Sequence, residues 1–520
     1  MNAPAGAPEP GGPAGVDWER PDWRAFVIAN LGEPTLVARY LLMRMAAGGL
    51  PAGQAAALLR HVFGGAGLVE FYARLAAYLL LTGGPAPDER LVPNDPAARR
   101  SYALMRDWLT ACLAGNRKSL PPVNDMQGMA FVATVLDHAE LHLRSIAAHA
   151  AADRVSILRG MIDAVFQARS RTWVLASSFT SHVGHFVYAA TLLELQRRGR
   201  LAAQEIGILP GPSQNGFLRQ LFKARVLAAA PADTAYVEMI SARKRHRLAD
   251  GRWCTMSELV SEAVSAWAQD RPFATLDAET RTRGDTALAA LGVPPDAPVF
   301  TLHVRETGFH SDPAGMMRLR DARIADYRPA IEYLTASGGY VVRLGDRSMT
   351  RAEPQAGLVD YPFTEAKSDW MDIYLAARCR FHVGTSSGMS FVPLLFGRPA
   401  LLTNWITLAH AVCAPSVVTL PKLLLDRGGM VVPAREYCDR HGHIFEAADA
   451  ALHGLTFRDN APEDILDAVV LMHRHVDAAS GRAAFPPGLF AGSEAALAAS
   501  SLGIRPQIPS RFWRRYYGGG

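Results

Sequence analysis

Short apolar strands alternate with helical segments between residues 297 and 404, and this alternation constrains the fold more than any other feature. The predicted strands lie at 299–304, 340–344, 358–361, 380–383 and 400–402, and the helices between them at 324–336, 369–377 and 389–396. A strand, a helix and a further strand in succession are typical of a parallel sheet with crossover helices. We therefore predict a doubly wound, Rossmann-like α/β domain over residues 293–460.

A less regular pattern of the same kind comes before it. Strands are predicted at 172–176, 205–209, 224–229 and 235–240, with a helix at 186–198. This pattern indicates a first Rossmann-like domain over residues 169–292, which ends at the linker-like sequence Gly292-Val293-Pro294-Pro295.

The two ends of the chain have a different character. Residues 1–20 are rich in Ala, Pro and Gly and are predicted to be a disordered leader. Residues 21–168 are predicted to form an all-α region, which is a candidate surface for a protein partner. Residues 461–520 are predicted to be a C-terminal helix, at 462–475, and a basic, aromatic tail that docks back onto the protein.

Composition excludes several classes of function. The net charge is only +5 over 520 residues and the basic residues are dispersed, so nucleic-acid binding is not expected. Five scattered cysteines favour a reducing compartment, and no apolar stretch is long enough to span a bilayer. We expect a cytoplasmic protein, with contact at the inner-membrane surface as a further option.

The most specific local motif follows the fourth of the predicted strands. The turn Gly384-Thr385-Ser386-Ser387-Gly388 separates this strand from a helix. Backbone N–H groups, hydroxyl groups and the positive end of a helix dipole can all hold an anion. The turn therefore predicts a phosphate-binding site.

Other polar residues lie where the strands end, and ligands of doubly wound sheets bind beyond these carboxyl ends. The predicted donor-binding residues are His303, Arg305, Arg343, Asp346, Tyr361, Lys367, Ser368, Asp369, Thr385, Ser386, Ser387 and Gly388. Ser368 is also predicted to be a helix N-cap. Arginine forks match phosphate oxygens, a carboxylate can hold a ribose or base edge, and an aromatic ring can face a base. Together these residues predict a site for a nucleoside diphosphate.

Four of these segments, 303–306, 339–346, 367–372 and 384–388, resemble an uncharacterised family of bacterial glycosyltransferase-like proteins. They resemble more distantly the fucosyltransferases of the nodulation-factor and protein O-fucosylation type. This resemblance implies a GT-B fold, with two facing Rossmann-like domains and the site in the cleft between them. It also implies that Arg305 holds the β-phosphate of a nucleotide sugar and that Thr385 to Ser387 face the diphosphate.

If the protein is a glycosyltransferase, we expect the first domain to bind the acceptor. The loop at 177–185 places His182, Gly184 and His185 on the acceptor side, where His185 or His182 could be the general base; Glu306 is the competing candidate. The sequence has no Asp-x-Asp motif, so we expect a metal-independent reaction without a cofactor, in which Arg305 and the turn stabilise the leaving group. The donor, GDP- or UDP-linked, and the acceptor, a glycan, surface polysaccharide or protein, stay open.

Two alternatives remain at this stage. A nucleotide-sugar epimerase of GT-B fold would share the phosphate turn but needs a pair of acid and base carboxylates in the cleft. A non-catalytic helical adaptor with a degenerate transferase domain would bind no nucleotide.

Overall fold

The structure is a computed structural model that describes most of the chain after residue 171. The described ranges are 172–175, 182–201, 205–208, 214–222, 227–228 and 245–518, with gaps at 269–270, 307, 309–317, 407, 443, 445–446, 478–479 and 499–504, and scattered helical residues between 135 and 157. The predicted leader, most of the predicted N-terminal all-α region and the predicted strand at 235–240 lie outside the described residues.

The first part of the described chain contains a small parallel sheet. Its strands are β1 (Thr172–Leu175), β2 (Glu205–Ile208) and β3 (Leu227–Ala228), in that order. Helix α1 (Val183–Arg197) connects β1 to β2, and α2 (Gly216–Phe222) lies between β2 and β3. The predicted strand, helix and strand are therefore confirmed here, in parallel register.

An antiparallel hairpin and two helices follow this sheet. The hairpin joins β4 (Arg245–Arg247) to β5 (Trp253–Thr255), and the helices are α3 (Met256–Ala263) and α4 (Ala278–Ala290). None of these four elements was predicted from the sequence.

The largest sheet has six parallel strands. In chain order they are β6 (Val299–His303), β7 (Tyr340–Arg343), β8 (Leu358–Val359), β9 (His382–Gly384), β10 (Ala400–Trp405) and β11 (Val417–Pro421). Their spatial order is β11-β10-β9-β6-β7-β8. When the strands are numbered within the sheet, this order is the doubly wound 3-2-1-4-5-6 arrangement, whose direction of winding reverses between β6 and β9.

The helices of this part cover the sheet. They are α5 (Arg328–Ala336), α6 (Asp369–Arg378), α7 (Val392–Leu395), α8 (Ala434–Glu436), α9 (Ala447–Leu452), α10 (Pro462–His475), α11 (Ala491–Ala498) and α12 (Ser510–Tyr517). All residues of β6 are buried, as expected for a parallel strand covered on both faces. Helices α5 and α10 pack together, and the imidazole of His473 contacts the rings of Tyr333 and Phe300. A second hairpin pairs β12 (Leu423–Leu425) with β13 (Thr456–Arg458).

Two predicted helices are interrupted by proline. The segment predicted as one helix at 324–336 is a 3-10 turn, Ile324–Tyr327, followed by α5, which has Pro329 in its first turn. The segment predicted at 389–396 is likewise a 3-10 turn, Gly388–Phe391, followed by α7, with Pro393 in its first turn. Proline lacks an N–H and its ring clashes with the carbonyl four residues earlier, so neither helix can run through.

Helix α4 packs closely against α6, across the predicted domain boundary at residue 292. A Cβ atom on Gly284 would lie 2.1 Å from the ring of Tyr374, so only glycine fits there. The Tyr374 hydroxyl donates a hydrogen bond of 2.6 Å to Asp285 of α4. The helix before the boundary is therefore part of the packing around the large sheet.

The C-terminal helix α12 docks onto the protein, as predicted. Phe512 and Trp513 are buried, and the Tyr516 hydroxyl donates a 2.6 Å hydrogen bond to Asp464 of α10, which also pairs with Arg515. Within the described ranges, no helix has both the length and the apolar character needed to cross a membrane.

Candidate functional site

The ends of β6 and β9 are joined at the point where the sheet reverses its winding. The two strands pair in parallel, with His303 opposite Gly384. Beyond the strands, the backbone N–H of Arg305 donates a 2.9 Å hydrogen bond to the Thr385 hydroxyl, and the N–H of Thr385 donates to the carbonyl of His303 at 3.1 Å. Arg305 and the phosphate-type turn, predicted independently, therefore lie side by side.

Internal hydrogen bonds shape this turn. The Ser386 hydroxyl accepts a hydrogen bond from the N–H of Ile406 at 2.9 Å, and the Ser390 hydroxyl donates to the Thr385 carbonyl at 2.8 Å. Thr385 and Ser386 are buried, whereas Ser387 and Gly388 are half-buried. The first two residues thus give the turn its shape, and Ser387 and Gly388 form its more accessible part.

Three charged residues that the sequence analysis missed surround the turn. Arg320 donates a 2.8 Å hydrogen bond from Nε to the Ser386 carbonyl. Its neighbour Asp321 pairs with the guanidinium of Arg305. Lys422, which follows β11, donates from Nζ to the Asp321 carbonyl at 2.7 Å and to Asp459 at 2.6 Å. Lys422 directly follows β11, and because this strand was not predicted, Lys422 was not recognised as a residue at a strand end.

The charges near the turn are mainly positive. Arg305, Arg320 and Lys422 carry three positive charges against the two carboxylates of Asp321 and Asp459. Burial, and after it the nearby charge of Arg305, lower the pKa of Arg320 to about 10. The carboxylate of Asp321 opposes this lowering of the Arg320 pKa in part.

His303 contributes a neutral imidazole close to these cations. Its side chain is buried, and within the described part of the chain its Nδ1 has no hydrogen-bond partner. Burial, followed by the positive charge of Arg343, lowers the pKa of His303 to about 4. At neutral pH the imidazole is therefore uncharged and can act as a hydrogen-bonding group.

Arg343 and Glu306 belong to a structural network, in contrast to their predicted roles. The fully buried Arg343 pairs with Glu306 at 3.0 Å and with Asp360 at 3.1 Å, and it donates to the Thr350 carbonyl at 2.6 Å. The second Glu306 oxygen accepts from the Thr350 N–H at 2.6 Å. Both oxygens of Glu306 are thus occupied, so the arrangement favours a role in holding the β7–β8 loop over a role as general base.

The predicted residues at the start of α6 also make internal contacts. The Tyr361 ring is completely buried, and its hydroxyl bonds to the backbone N–H of Ser368 at 3.0 Å, so the ring does not face a ligand. Lys367 pairs with Asp372. Ser368 occupies the N-cap position, as predicted, although its side chain makes no capping hydrogen bond. The polar contacts of these three side chains and of the Ser368 backbone lie within residues 361–372, so they support the start of the helix.

Asp346 and Asp369 likewise bond to backbone groups. Asp346 accepts a 2.7 Å hydrogen bond from the N–H of Ser348 and stabilises the loop after β7. Asp369 accepts a 2.8 Å hydrogen bond from the N–H of Gly216, at the start of α2, and so joins α6 to the first block.

The start of α1, which carries the predicted acceptor-side residues, lies against the turn. A Cβ atom on Gly184 would come within 2.6 Å of the Gly388 Cα, so the two backbones are in direct contact. His182 is the N-cap residue of α1, and His182 and His185 are exposed with ring centroids 5.1 Å apart. The structure therefore brings His182, Gly184 and His185 beside Ser387 and Gly388.

Metal ligation was not predicted for this site. Among the residues that the structure describes, no group of three or more His, Cys, Asp or Glu side chains is arranged to hold a metal ion.

The fold and the site together define a doubly wound α/β protein with Arg305, Arg320 and Lys422 near its switch point. No family model matches the chain, and no curated protein matches it. One similar solved structure is a glycosyl transferase of family 9 from Veillonella parvula, with 11% sequence identity and a TM-score of 0.29. The match covers 48% of this chain and 85% of the other. A TM-score this low supports no conclusion about the present chain.

Proposed function

We propose that this protein is a GT-B glycosyltransferase that moves a sugar from a nucleotide-sugar donor to a hydroxyl acceptor. The observation that carries the proposal is the hydrogen bond between Arg305 and Thr385, which joins two strand ends at the switch point of the large sheet. Doubly wound sheets bind nucleotides in the crevice at this position. An arginine and a Ser/Thr turn in that crevice are suited to the phosphates of the donor.

The charges of the site suit the leaving group of such a reaction. Breaking the bond between the anomeric carbon and the phosphate oxygen leaves negative charge on the nucleotide. The backbone N–H of Arg305 and the guanidinium of Arg320 both bond to the turn where that charge would develop, so these donors are held there before the reaction. Preorganised donors of this kind contribute roughly 3 kcal/mol each in other enzymes.

The acceptor would enter from the side of α1. The contact between Gly184 and Gly388 holds His185 and His182 near the turn. In the proposed step, an acceptor hydroxyl attacks the anomeric carbon while His185 takes its proton. The bond to the phosphate breaks, and its electron pair leaves with the nucleotide. The donor would be GDP- or UDP-linked, and the acceptor a glycan, a surface polysaccharide or a protein.

The epimerase alternative has less support from the site. It requires two carboxylates that act as acid and base. Glu306 is bound to Arg343 and Asp321 is bound to Arg305, so both of these carboxylates are already paired with arginines.

Nucleotide binding tests the proposal and also separates it from the adaptor alternative. Titrations of UDP, GDP, ADP and CMP should find at least one nucleotide that binds the wild-type protein and raises its melting temperature. Arg305→Ala should weaken that binding by roughly 10- to 100-fold, the usual contribution of a charge-assisted hydrogen bond. The matched control is Arg328→Ala, an exposed arginine paired with Glu332 and Glu353, which should bind normally. If none of the nucleotides binds the wild-type protein, the proposed function is wrong.

The role of His185 requires a kinetic test, once a donor is known. His185→Ala should lower kcat by roughly 10²- to 10⁴-fold, the usual contribution of a general base, and leave the donor Kd unchanged. His182→Ala is the matched variant, one helical turn earlier. If His182→Ala loses the activity and His185→Ala retains it, the base is His182 and the assignment to His185 is wrong.

A further inference from the structure

The end of strand β10 carries one extra residue beside the turn at 384–388. Leu402 of β10 pairs with Thr419 of β11, in register with the start of the strand. Trp405 pairs with Pro421, so two residues of β10 stand opposite a single residue of β11. An extra residue of this kind is a β-bulge, which bends the strand and is common next to active sites.

Asn404 forms this bulge with a left-handed backbone. Its φ is +48°, and it is the one residue other than glycine with a positive φ among those that the structure describes. Asparagine tolerates this conformation better than most residues, but the surrounding structure has to hold it there. Residues in sparsely populated backbone conformations cluster at functional sites, so the position of Asn404 beside the turn calls for an explanation.

Hydrogen bonds on two sides hold Asn404 in this conformation. Its N–H donates to Oδ1 of Asn460 at 2.6 Å, and its own Oδ1 accepts from the N–H of Asn460 at 2.6 Å. Its Nδ2 donates to the Tyr327 hydroxyl at 3.1 Å. All three residues are buried, so each lost bond would leave a polar group unpaired inside the protein.

The side chain of Asn404 begins a chain of hydrogen bonds that ends at the turn. The Tyr327 hydroxyl bonds to the Thr403 hydroxyl at 2.6 Å, and Thr403 bonds to the Gly384 carbonyl at 3.2 Å. Because a carbonyl only accepts, the Thr403 hydroxyl donates to Gly384 and therefore accepts from Tyr327. Each group thus donates toward Gly384, the first residue of the turn.

The backbone after Asn404 makes a second connection to the turn. The N–H of Ile406 donates to the Ser386 hydroxyl at 2.9 Å. Successive N–H groups of a strand point in opposite directions, so the extra residue in β10 decides whether the Ile406 N–H faces the turn. The bulge at Asn404 and the shape of the turn are therefore linked.

Resting on the proposed function, we infer that Asn404 is a positioning residue whose left-handed backbone holds the turn in the shape that binds the nucleotide phosphate. Asn404 is completely buried, so it acts on the nucleotide only through Ile406 and Ser386. Nucleotide affinity is thus controlled in part from β10, on the far side of β9 from Arg305.

Two substitutions at this position separate the backbone conformation from the side-chain bonds. Asn404→Gly and Asn404→Ala both remove the bonds to Asn460 and Tyr327, but only glycine adopts a positive φ without strain. In calorimetric titration with the tightest-binding of UDP, GDP, ADP and CMP, Asn404→Gly should stay close to the wild-type Kd. Asn404→Ala should bind roughly 5- to 30-fold more weakly than Asn404→Gly, the factor that corresponds to the cost of a left-handed alanine.

A control variant separates this role from a general loss of stability. Tyr374→Phe removes the 2.6 Å hydrogen bond to Asp285, between α6 and α4. It should lower the melting temperature and leave the Kd for nucleotide unchanged, whereas Asn404→Ala should change both.

A double-mutant cycle tests the connection to the turn. Ser386→Ala removes the acceptor of the Ile406 N–H and should bind nucleotide roughly 5- to 30-fold more weakly than the wild-type protein. Adding Asn404→Ala should cause little further loss, because both substitutions break the same connection. If Asn404→Ala does not fold, Ser386→Ala decides alone: a wild-type Kd overturns the inference, and the expected loss supports it.

The failures of the two proposals differ. If no nucleotide binds the wild-type protein, the proposed function fails and this inference fails with it. If nucleotide binds and Asn404→Ala keeps the wild-type Kd, the inference is overturned and the proposed function stands. Equal losses in Asn404→Gly and Asn404→Ala also overturn it, because the backbone conformation would then not matter. Additive losses in the cycle do the same, because Asn404 would then act independently of Ser386.

Discussion

Replacing Arg343 by methionine should lower the free energy of unfolding and leave the nucleotide affinity unchanged. The Arg343 side chain has no exposed surface, and its partners Glu306 and Asp360 are only 12% and 20% exposed. Methionine preserves much of the apolar stem but leaves two largely buried carboxylates without their cation. Removing one partner of a buried ion pair costs about 3–5 kcal/mol, and we expect a loss of this size in the free energy of unfolding.

Urea unfolding measured beside nucleotide titration gives the decisive comparison. Arg343→Met should unfold at a lower urea concentration with an unchanged slope and, while folded, bind nucleotide as the wild-type protein does. Arg305→Ala removes the cation paired with Asp321 and should also cost stability, but unlike Arg343→Met it should weaken nucleotide binding by roughly 10- to 100-fold. If Arg343→Met keeps wild-type stability and loses nucleotide binding, Arg343 is a donor contact and the structural role argued for it is wrong.

Three more substitutions test other parts of the structure. Gly388→Ala places a Cβ 2.5 Å from the backbone N of Gly184, so it should cost about 1–3 kcal/mol of stability and reduce turnover. The control is Gly428→Ala, whose Cβ would meet only a side chain and which should be nearly neutral. Burial lowers the pKa of His382 to about 3, so below pH 6.5 the unfolded chain binds a proton that the folded protein does not. The free energy of unfolding therefore decreases as the pH is lowered, by up to about 1.4 kcal/mol per pH unit. In urea titrations at pH 7.5 and 5.0, His382→Gln should lose less stability between the two pH values than the wild-type protein, and equal losses would contradict the assignment. Trp513→Ala should lower stability by about 3–5 kcal/mol in the same assay, and a wild-type midpoint would mean that α12 is not needed to hold the fold.

The sequence was sufficient to predict most of the large sheet, because its strands are short apolar runs that end in polar residues. Five of the six strands were predicted, and the helix predicted at 462–475 is observed as α10. Strand β11, Val417–Pro421, was missed. The spatial order of the strands was not predicted either, because it depends on the direction in which each crossover connection runs along the sheet.

The sequence predicts which residues follow strand ends, but it does not predict which side chains those residues contact. Arg305 and Arg343 both follow or end apolar strands, and the sequence gives no reason to separate them. What separates them is Glu306 and Asp360, which are 37 and 17 residues from Arg343 along the chain and meet it only after β6, β7 and β8 align. Arg320 was missed for the same reason, since its contact with Ser386 spans 66 residues.

The different situations of the two arginines follow from the topology of the sheet. Arg343 ends β7, which lies between β6 and β8, so carboxylates that follow both neighbouring strands reach it and neutralise it inside the protein. Arg305 follows β6 at the reversal point, where the next strand is β9 and the crossover connections diverge to opposite sides. The chain that follows β9 supplies hydroxyl and N–H groups there instead of carboxylates, and the Arg305 side chain keeps 11% of its surface exposed. Under the proposed function, the diphosphate of a nucleotide sugar would lie at this point, beside the ion pair that Arg305 makes with Asp321.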